Sequence, residues 1–100
     1  MKCPSSIKIN HLDYSIKLCS NMVDKDGDKY LGSIDHTTKE IKLNQNMPKE
    51  ELPMTLLHEV IHAIDRQAGH TLQEAEVLML SYGIHGVLKD NKKLRQFLFR

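Results

Sequence analysis

The chain has 100 residues, which suits one compact domain and leaves little room for a second. Its formal net charge of +1 gives no reason to expect nucleic acid or an anionic membrane as the main partner. The two cysteines are too few for a disulfide framework, and no apolar run has transmembrane or signal-peptide length. We therefore expect a single domain over residues 1–100, located in the reducing cytoplasm.

The first half of the chain has the pattern of short β-strands. Leu12 and Asp13, between the first two apolar segments, are typical of a tight hairpin connection. The segment 24–29, "DKDGDK", is acidic like a calcium loop, but Gly27 stands fourth rather than sixth, so we expect a turn. An antiparallel or mixed sheet of about four strands is predicted. The predicted strands cover 6–11, 14–20, 30–36 and 40–44.

From Pro48 onwards the apolar period becomes helical. The segment 48–69 opens with a proline and acidic residues and ends at Gly69, which are helix start and stop signals. Pro53 indicates that the helix proper begins near that residue or is kinked there. We expect its broad apolar face to pack on the sheet.

Two more helices are predicted after Gly69. The second opens with Thr71 as N-cap, and Glu74 three residues later completes a capping box. Asp90 or Asn91 begins a short third helix. The sequence therefore predicts an α+β fold, in which the small sheet is followed by two antiparallel helices and a short C-terminal helix.

The segment "LLHEVIHAID" in the first helix carries the most specific signal. At about 100° per residue, positions four apart lie on one helix face, so His58 and His62 can present imidazole nitrogens to one ion. Glu59 projects beside that ion, where it can take a proton from a water molecule. This is the physical basis of the H-E-x-x-H pattern. We predict Zn²⁺ as the cofactor, although Mn, Co or Fe would suit the same ligands.

A catalytic zinc site needs a third protein ligand, which we expect from the start of the second helix. The candidates there are His70, Glu74 and Glu76. His70 is disfavoured, because Asp65 and Ala68 stand where an extended H-E-x-x-H-x-x-G-x-x-H pattern requires Gly and His. Glu74 is accounted for by the capping box. Glu76 precedes an apolar stripe, where a charge needs a partner, so the sequence favours Glu76 over Glu74.

Three other polar residues near the predicted site are expected to have supporting roles. Asp65 lies too far along the first helix to share an ion with both histidines, so we expect it to orient a ligand histidine or to cap a charge. Tyr82 and His85 lie off the helix face of Glu76. We expect both to be packing or surface residues rather than donors to an oxyanion.

Two segments of the sequence resemble a known family. "LLHEVIHAID" followed by "EVLMLSYGIHGVLKDN" is similar to segments of small phage-type and Gram-positive bacterial proteins near the ImmA/IrrE family of metallopeptidases. The resemblance covers about residues 30–91 and implies a zincin-like fold. It implies that His58 and His62 are zinc ligands. It also implies that Glu59 is the catalytic acid/base and that Glu76 is the third ligand.

These observations together predict a zinc-dependent metallopeptidase that hydrolyses peptide bonds of a protein substrate. Glu59 would activate the attacking water and then pass the proton to the leaving nitrogen. The sheet edge is available to bind an extended peptide as an added strand. The phage-type resemblance implies a phage or mobile-element origin. Two alternatives stay open, namely an inactive zinc-binding interaction module and a small structural protein without metal.

Overall fold

The computed structural model describes residues 2–69 and 71–100. In this part of the chain, four strands are followed by one turn of 3-10 helix (Lys49–Glu51) and three α-helices. The α+β class and the order of elements agree with the sequence. The strands and helices are β1 (Ser6–Ile9), β2 (Leu12–Cys19), β3 (Gly32–Asp35), β4 (Glu40–Asn44), α1 (Leu52–Gln67), α2 (Glu74–Asp90) and α3 (Lys92–Leu98).

The four strands form one mixed sheet in the order β1-β2-β4-β3. The outer pairs β1–β2 and β3–β4 are antiparallel, whereas the central pair β2–β4 is parallel. Ile41 of β4 lies between Ile16 of β2 and Ile34 of β3. Because β3 pairs only with β4 among the described strands, it forms one edge of the sheet.

The first hairpin turns two residues earlier than predicted. Asn10 and His11 form the tip with φ values of 49° and 76°, and Leu12 already pairs with Ile9. A two-residue turn in which both φ values are positive matches the twist of the flanking strands, and asparagine tolerates this conformation. The prediction that Leu12 and Asp13 form the connection is therefore wrong.

The acidic segment 24–29 is a turn, as predicted. Oδ1 of Asp24 accepts hydrogen bonds from the backbone N–H groups of Asp26 and Asp28, at 2.9 Å and 3.0 Å. Gly27 has a φ of 82°, a left-handed conformation that glycine adopts without strain. These contacts use the Asp24 carboxylate to close the turn.

The core lies between the sheet and α1. Ile41 and Leu43 of the central strand β4 are completely buried, and Ala63 of α1 is buried with them. Removing such side chains from water is the main stabilising contribution in a domain of this size. The other buried members of this cluster are Ile9, Tyr14, Ile16 and Met47.

Helix α1 begins at Leu52, so Pro53 lies in the first turn, where its missing N–H leaves no hydrogen bond unmade. Helix α2 packs against α1, with Val77 and Ser81 completely buried. Helix α3 packs on α2. Within residues 2–69 and 71–100, no helix combines the length and the apolar character required to cross a bilayer.

Candidate metal centre

Helix α1 presents His58 and His62 on one face, as the spacing of four predicts. Their Nε2 atoms lie 3.2 Å apart. The two rings meet edge to face at 73°, with centroids 4.8 Å apart. Nitrogens bound to one zinc ion at about 2.0–2.1 Å and at the tetrahedral angle would be roughly 3.3 Å apart. The observed separation of the two imidazole nitrogens therefore suits a shared ion.

The carboxylate of Glu74, in the first turn of α2, bridges the two histidines. Its Oε1 lies 2.7 Å from Nε2 of His58, and its Oε2 lies 2.9 Å from Nε2 of His62. All three residues offer a ligand atom within 4.8 Å of the others, and this group, which we call the ligand cluster, could hold a metal ion. Two imidazoles and one carboxylate form a donor set that suits zinc and leaves a coordination position open.

Glu76, which the sequence favoured as third ligand, is placed elsewhere. Its Oε1 accepts a hydrogen bond from the backbone N–H of Gln73 at 2.7 Å, as in a capping box. Gln73, not Thr71, is the N-cap of α2, so the helix begins two residues later than predicted. Glu76 therefore has the capping role that the sequence analysis gave to Glu74, and Glu74 lies beside the two histidines. The predicted capping box of Thr71 and Glu74 is wrong.

Asp65 holds the loop that brings Glu74 back to α1. This aspartate is buried, and its Oδ1 accepts hydrogen bonds from the backbone N–H groups of Thr71 at 2.9 Å and Leu72 at 3.0 Å. Asp65 thereby fixes the chain just before α2 begins. His70, considered as a ligand from the sequence, lies outside the described residues.

Glu59 lies next to His58 in sequence but is buried between α1 and the sheet, with 5% of its surface exposed. Burial, together with the negative charge of Glu74, raises the pKa of Glu59 to about 7. A carboxylate with this pKa exchanges protons readily near neutral pH, which suits a general base and acid. Gly32 of β3 borders it, since a Cβ there would lie 3.2 Å from Glu59 Oε2.

An open cleft borders Glu59 and His58, the member of the ligand cluster that lines it. Its volume of about 210 Å³ exceeds the roughly 30 Å³ share of one water molecule but is smaller than the 300–1,000 Å³ typical of sites for drug-sized ligands. The cleft therefore has room for part of a larger molecule. It is lined by residues from the sheet edge, α1 and α2, namely Leu31, Gly32, Met54, Thr55, His58, Glu59, Leu78, Ser81 and Tyr82.

The structure places Tyr82 in the cleft wall, although the sequence analysis set it apart from the site. Tyr82 is 60% exposed, which agrees with the expected surface position. Leu78 and Tyr82 follow Glu74 at intervals of four residues, so they continue the helix face on which Glu74 lies. The sequence analysis used Glu76 as its reference, and Tyr82 does not lie on the helix face of Glu76. His85 is partly buried and is not among the residues that line the cleft.

Comparison of the chain with models of protein families, with curated proteins and with solved structures finds no match.

Proposed function

We propose that the protein is a zinc-dependent metallopeptidase with a zincin-like fold. The observation that carries the proposal is that the buried Glu59 lines the same cleft as His58 of the ligand cluster. A metal-ligand set alone would fit many roles. The added proton acceptor in the same cleft favours hydrolysis.

In this proposal, His58, His62 and Glu74 hold the ion, which supplies Lewis-acid chemistry when bound. Glu59 accepts a proton from the attacking water as the new C–O bond forms. It then donates that proton to the peptide nitrogen as the C–N bond breaks. The products are a carboxylic acid and an amine. Glu59 gains one proton and loses one proton, so it ends the cycle in its starting form.

The free edge of β3 offers a place for an extended peptide. The backbone N–H of Asn44 donates to the C=O of Leu31 at 2.8 Å, and Gly32 lies opposite Leu43. Because hydrogen-bonded and non-hydrogen-bonded pairs alternate in antiparallel strands, the backbone groups of Gly32 and Ile34 face away from β4. A peptide added there as a strand would run beside Glu59.

The direct test of this function is proteolysis by the zinc-loaded protein of a broad peptide library, with Glu59→Gln as the paired variant. We expect the wild type to cleave and Glu59→Gln to lose at least about a hundredfold in rate while it retains one zinc per chain. Absence of cleavage by the wild type, or equal cleavage by both proteins, would contradict the proposal.

A second candidate function is a metal-stabilised interaction module without catalysis. The observation in its favour is that the ligand cluster joins two helices, because His58 and His62 lie on α1 and Glu74 on α2. An ion there would fasten α2 to α1, as structural zinc does in small domains. Zinc-dependent stability without any cleavage would select this function over the first.

We further propose that the protein works in a reducing compartment such as the cytoplasm. Cys3 and Cys19 are both free thiols. Free cysteines are compatible with such a compartment, whereas secreted domains of this size commonly depend on disulfides. The proposed phage or mobile-element origin rests on the sequence resemblance alone.

A further inference from the structure

The cleft beside the ligand cluster has mainly apolar walls. Leu31, which directly precedes β3, stands on one side, and Leu78 and Tyr82 belong to α2. Met54 contributes from the first turn of α1. Apolar residues that line a cavity next to polar reacting groups are the usual composition of a specificity pocket.

Several of these side chains are exposed in spite of their size. Leu31 is 45% exposed, Leu78 is 47% exposed and Tyr82 is 60% exposed. A wall of exposed apolar side chains gains free energy when another apolar group covers it. Within residues 2–69 and 71–100, no lysine or arginine lines the cleft, and its ionisable acid is Glu59. Apart from His58 of the ligand cluster, the walls therefore carry no basic side chain that would neutralise an incoming acidic one.

We infer that the cleft selects a large apolar side chain, such as leucine, methionine or phenylalanine, adjoining the bond that is cut. This inference rests on the proposed peptidase function and names its substrate class. The edge of β3 would bind the substrate backbone, while Leu31, Met54, Leu78 and Tyr82 would bind the side chain. The cleft volume of about 210 Å³ agrees with binding of a side chain in the cleft and of the backbone outside it, because the cleft has room for only part of a peptide.

Cleavage specificity tests the inference with a matched pair of variants. Leu78 lines the cleft, whereas the neighbouring Met79 is 62% exposed and is not among the lining residues. We expect the wild type to cut a degenerate peptide mixture beside leucine, methionine or phenylalanine. Leu78→Lys should lower kcat/KM for such peptides by about a hundredfold, since even one methylene in a fitted pocket changes it roughly 10- to 200-fold. Met79→Lys adds the same charge to the same helix and should match the wild type.

Binding of small probes to the metal-free protein tests the pocket independently of catalysis. N-acetyl-leucinamide should shift the backbone amide NMR signals of Leu31, Leu78 and Tyr82, and N-acetyl-lysinamide should not. These shifts without any cleavage would support the pocket and contradict the peptidase. Cleavage that is equally frequent beside charged residues, or equal shifts with both probes, would overturn the inference while leaving the peptidase intact.

Discussion

Gly32 of β3 and Glu59 of α1 meet where the edge of the sheet lies against the helix that carries both histidines. A Cβ atom at residue 32 would lie 3.2 Å from Glu59 Oε2 and 2.9 Å from Cγ2 of Thr55. The missing side chain at Gly32 is therefore what allows the carboxylate to lie beside the strand and still border the cleft.

Substitution Gly32→Ala should damage both stability and the position of Glu59. The new methyl group would collide with Thr55, a buried and branched side chain that has little freedom to move. We expect the free energy of unfolding to fall by about 1–3 kcal/mol, the usual cost of overpacking. Peptide cleavage should fall as well, because the methyl group also crowds the Glu59 carboxylate. Urea unfolding and a cleavage assay measure the two effects.

The double variant Gly32→Ala/Thr55→Ser separates these two effects. Serine lacks Cγ2 but keeps the hydroxyl that contacts Sδ of Met47 at 3.5 Å. The double variant should regain much of the stability lost by the single variant, while cleavage remains low because the contact with Glu59 persists. Full recovery of cleavage together with stability would show that Gly32 has no particular role toward Glu59.

The pKa of Glu59 predicts how the stability of the metal-free protein depends on pH. Burial, and secondarily Glu74, raises this pKa from 4.5 to about 7. The folded state then binds the proton more tightly than the unfolded state, so the free energy of unfolding falls as pH rises from 4.5 to about 7. The loss above this window should approach about 3 kcal/mol.

Glu59→Gln removes the titrating group and supplies the control for this pH effect. We expect the metal-free variant to exceed the wild type in stability at about pH 8 and to match it near pH 4.5. Urea unfolding of both proteins across this range, with a chelator present, gives the comparison. Parallel stability curves for the two proteins would show that burial does not raise the Glu59 pKa.

Asp65 should contribute to metal affinity without binding the metal. Asp65→Ala would remove the acceptor of the Thr71 and Leu72 N–H groups, and we expect a loss of about 2–3 kcal/mol in unfolding free energy. Zinc affinity should fall too, because the loop positions Glu74. Asp65→Asn keeps an acceptor oxygen and should retain most of both properties. Unfolding and zinc titrations measure the two properties. Equal stability and equal zinc affinity of Asp65→Asn and Asp65→Ala would refute this role.

Zinc should stabilise the fold, because the ligand cluster fastens α2 to α1. At a free zinc concentration of 100 times Kd, the free energy of unfolding should rise by about 2.7 kcal/mol. A chelator should reverse the effect, and His62→Ala should abolish most of it. Thermal unfolding with and without zinc measures this stabilisation. Equal stabilisation of the wild type and His62→Ala by zinc would contradict the prediction.

The sequence allowed prediction of the features that depend on local patterns. The spacing of His58 and His62 fixed their common helix face, and alternation with turn residues located β3 and β4 closely. The hairpin tip at Asn10 and His11 was missed because the first strand was extended to His11, although the apolar alternation already breaks between Ile9 and Leu12. The register of β1 on β2 shows that these two residues form the turn.

The start of α2 could not be predicted from local signals. The stretch "TLQEAE" offers two capping boxes of equal spacing, one from Thr71 to Glu74 and one from Gln73 to Glu76. The hydrogen bonds from the loop to Asp65 accompany the later start. These hydrogen bonds join Asp65 of α1 to residues that precede α2, so rules that consider one helix at a time cannot predict them. Which glutamate, Glu74 or Glu76, lies beside the two histidines depends on which of the two capping boxes forms.

Zinc titration of the wild type, Glu74→Gln and Glu76→Gln tests the central claim most directly. The ligand cluster predicts one zinc per chain and a loss of more than about a hundredfold in affinity for Glu74→Gln, beyond the effect of losing an outer partner. Glu76→Gln should bind zinc like the wild type, because glutamine also serves in a capping box. Weak binding by Glu76→Gln with full binding by Glu74→Gln would contradict the assignment.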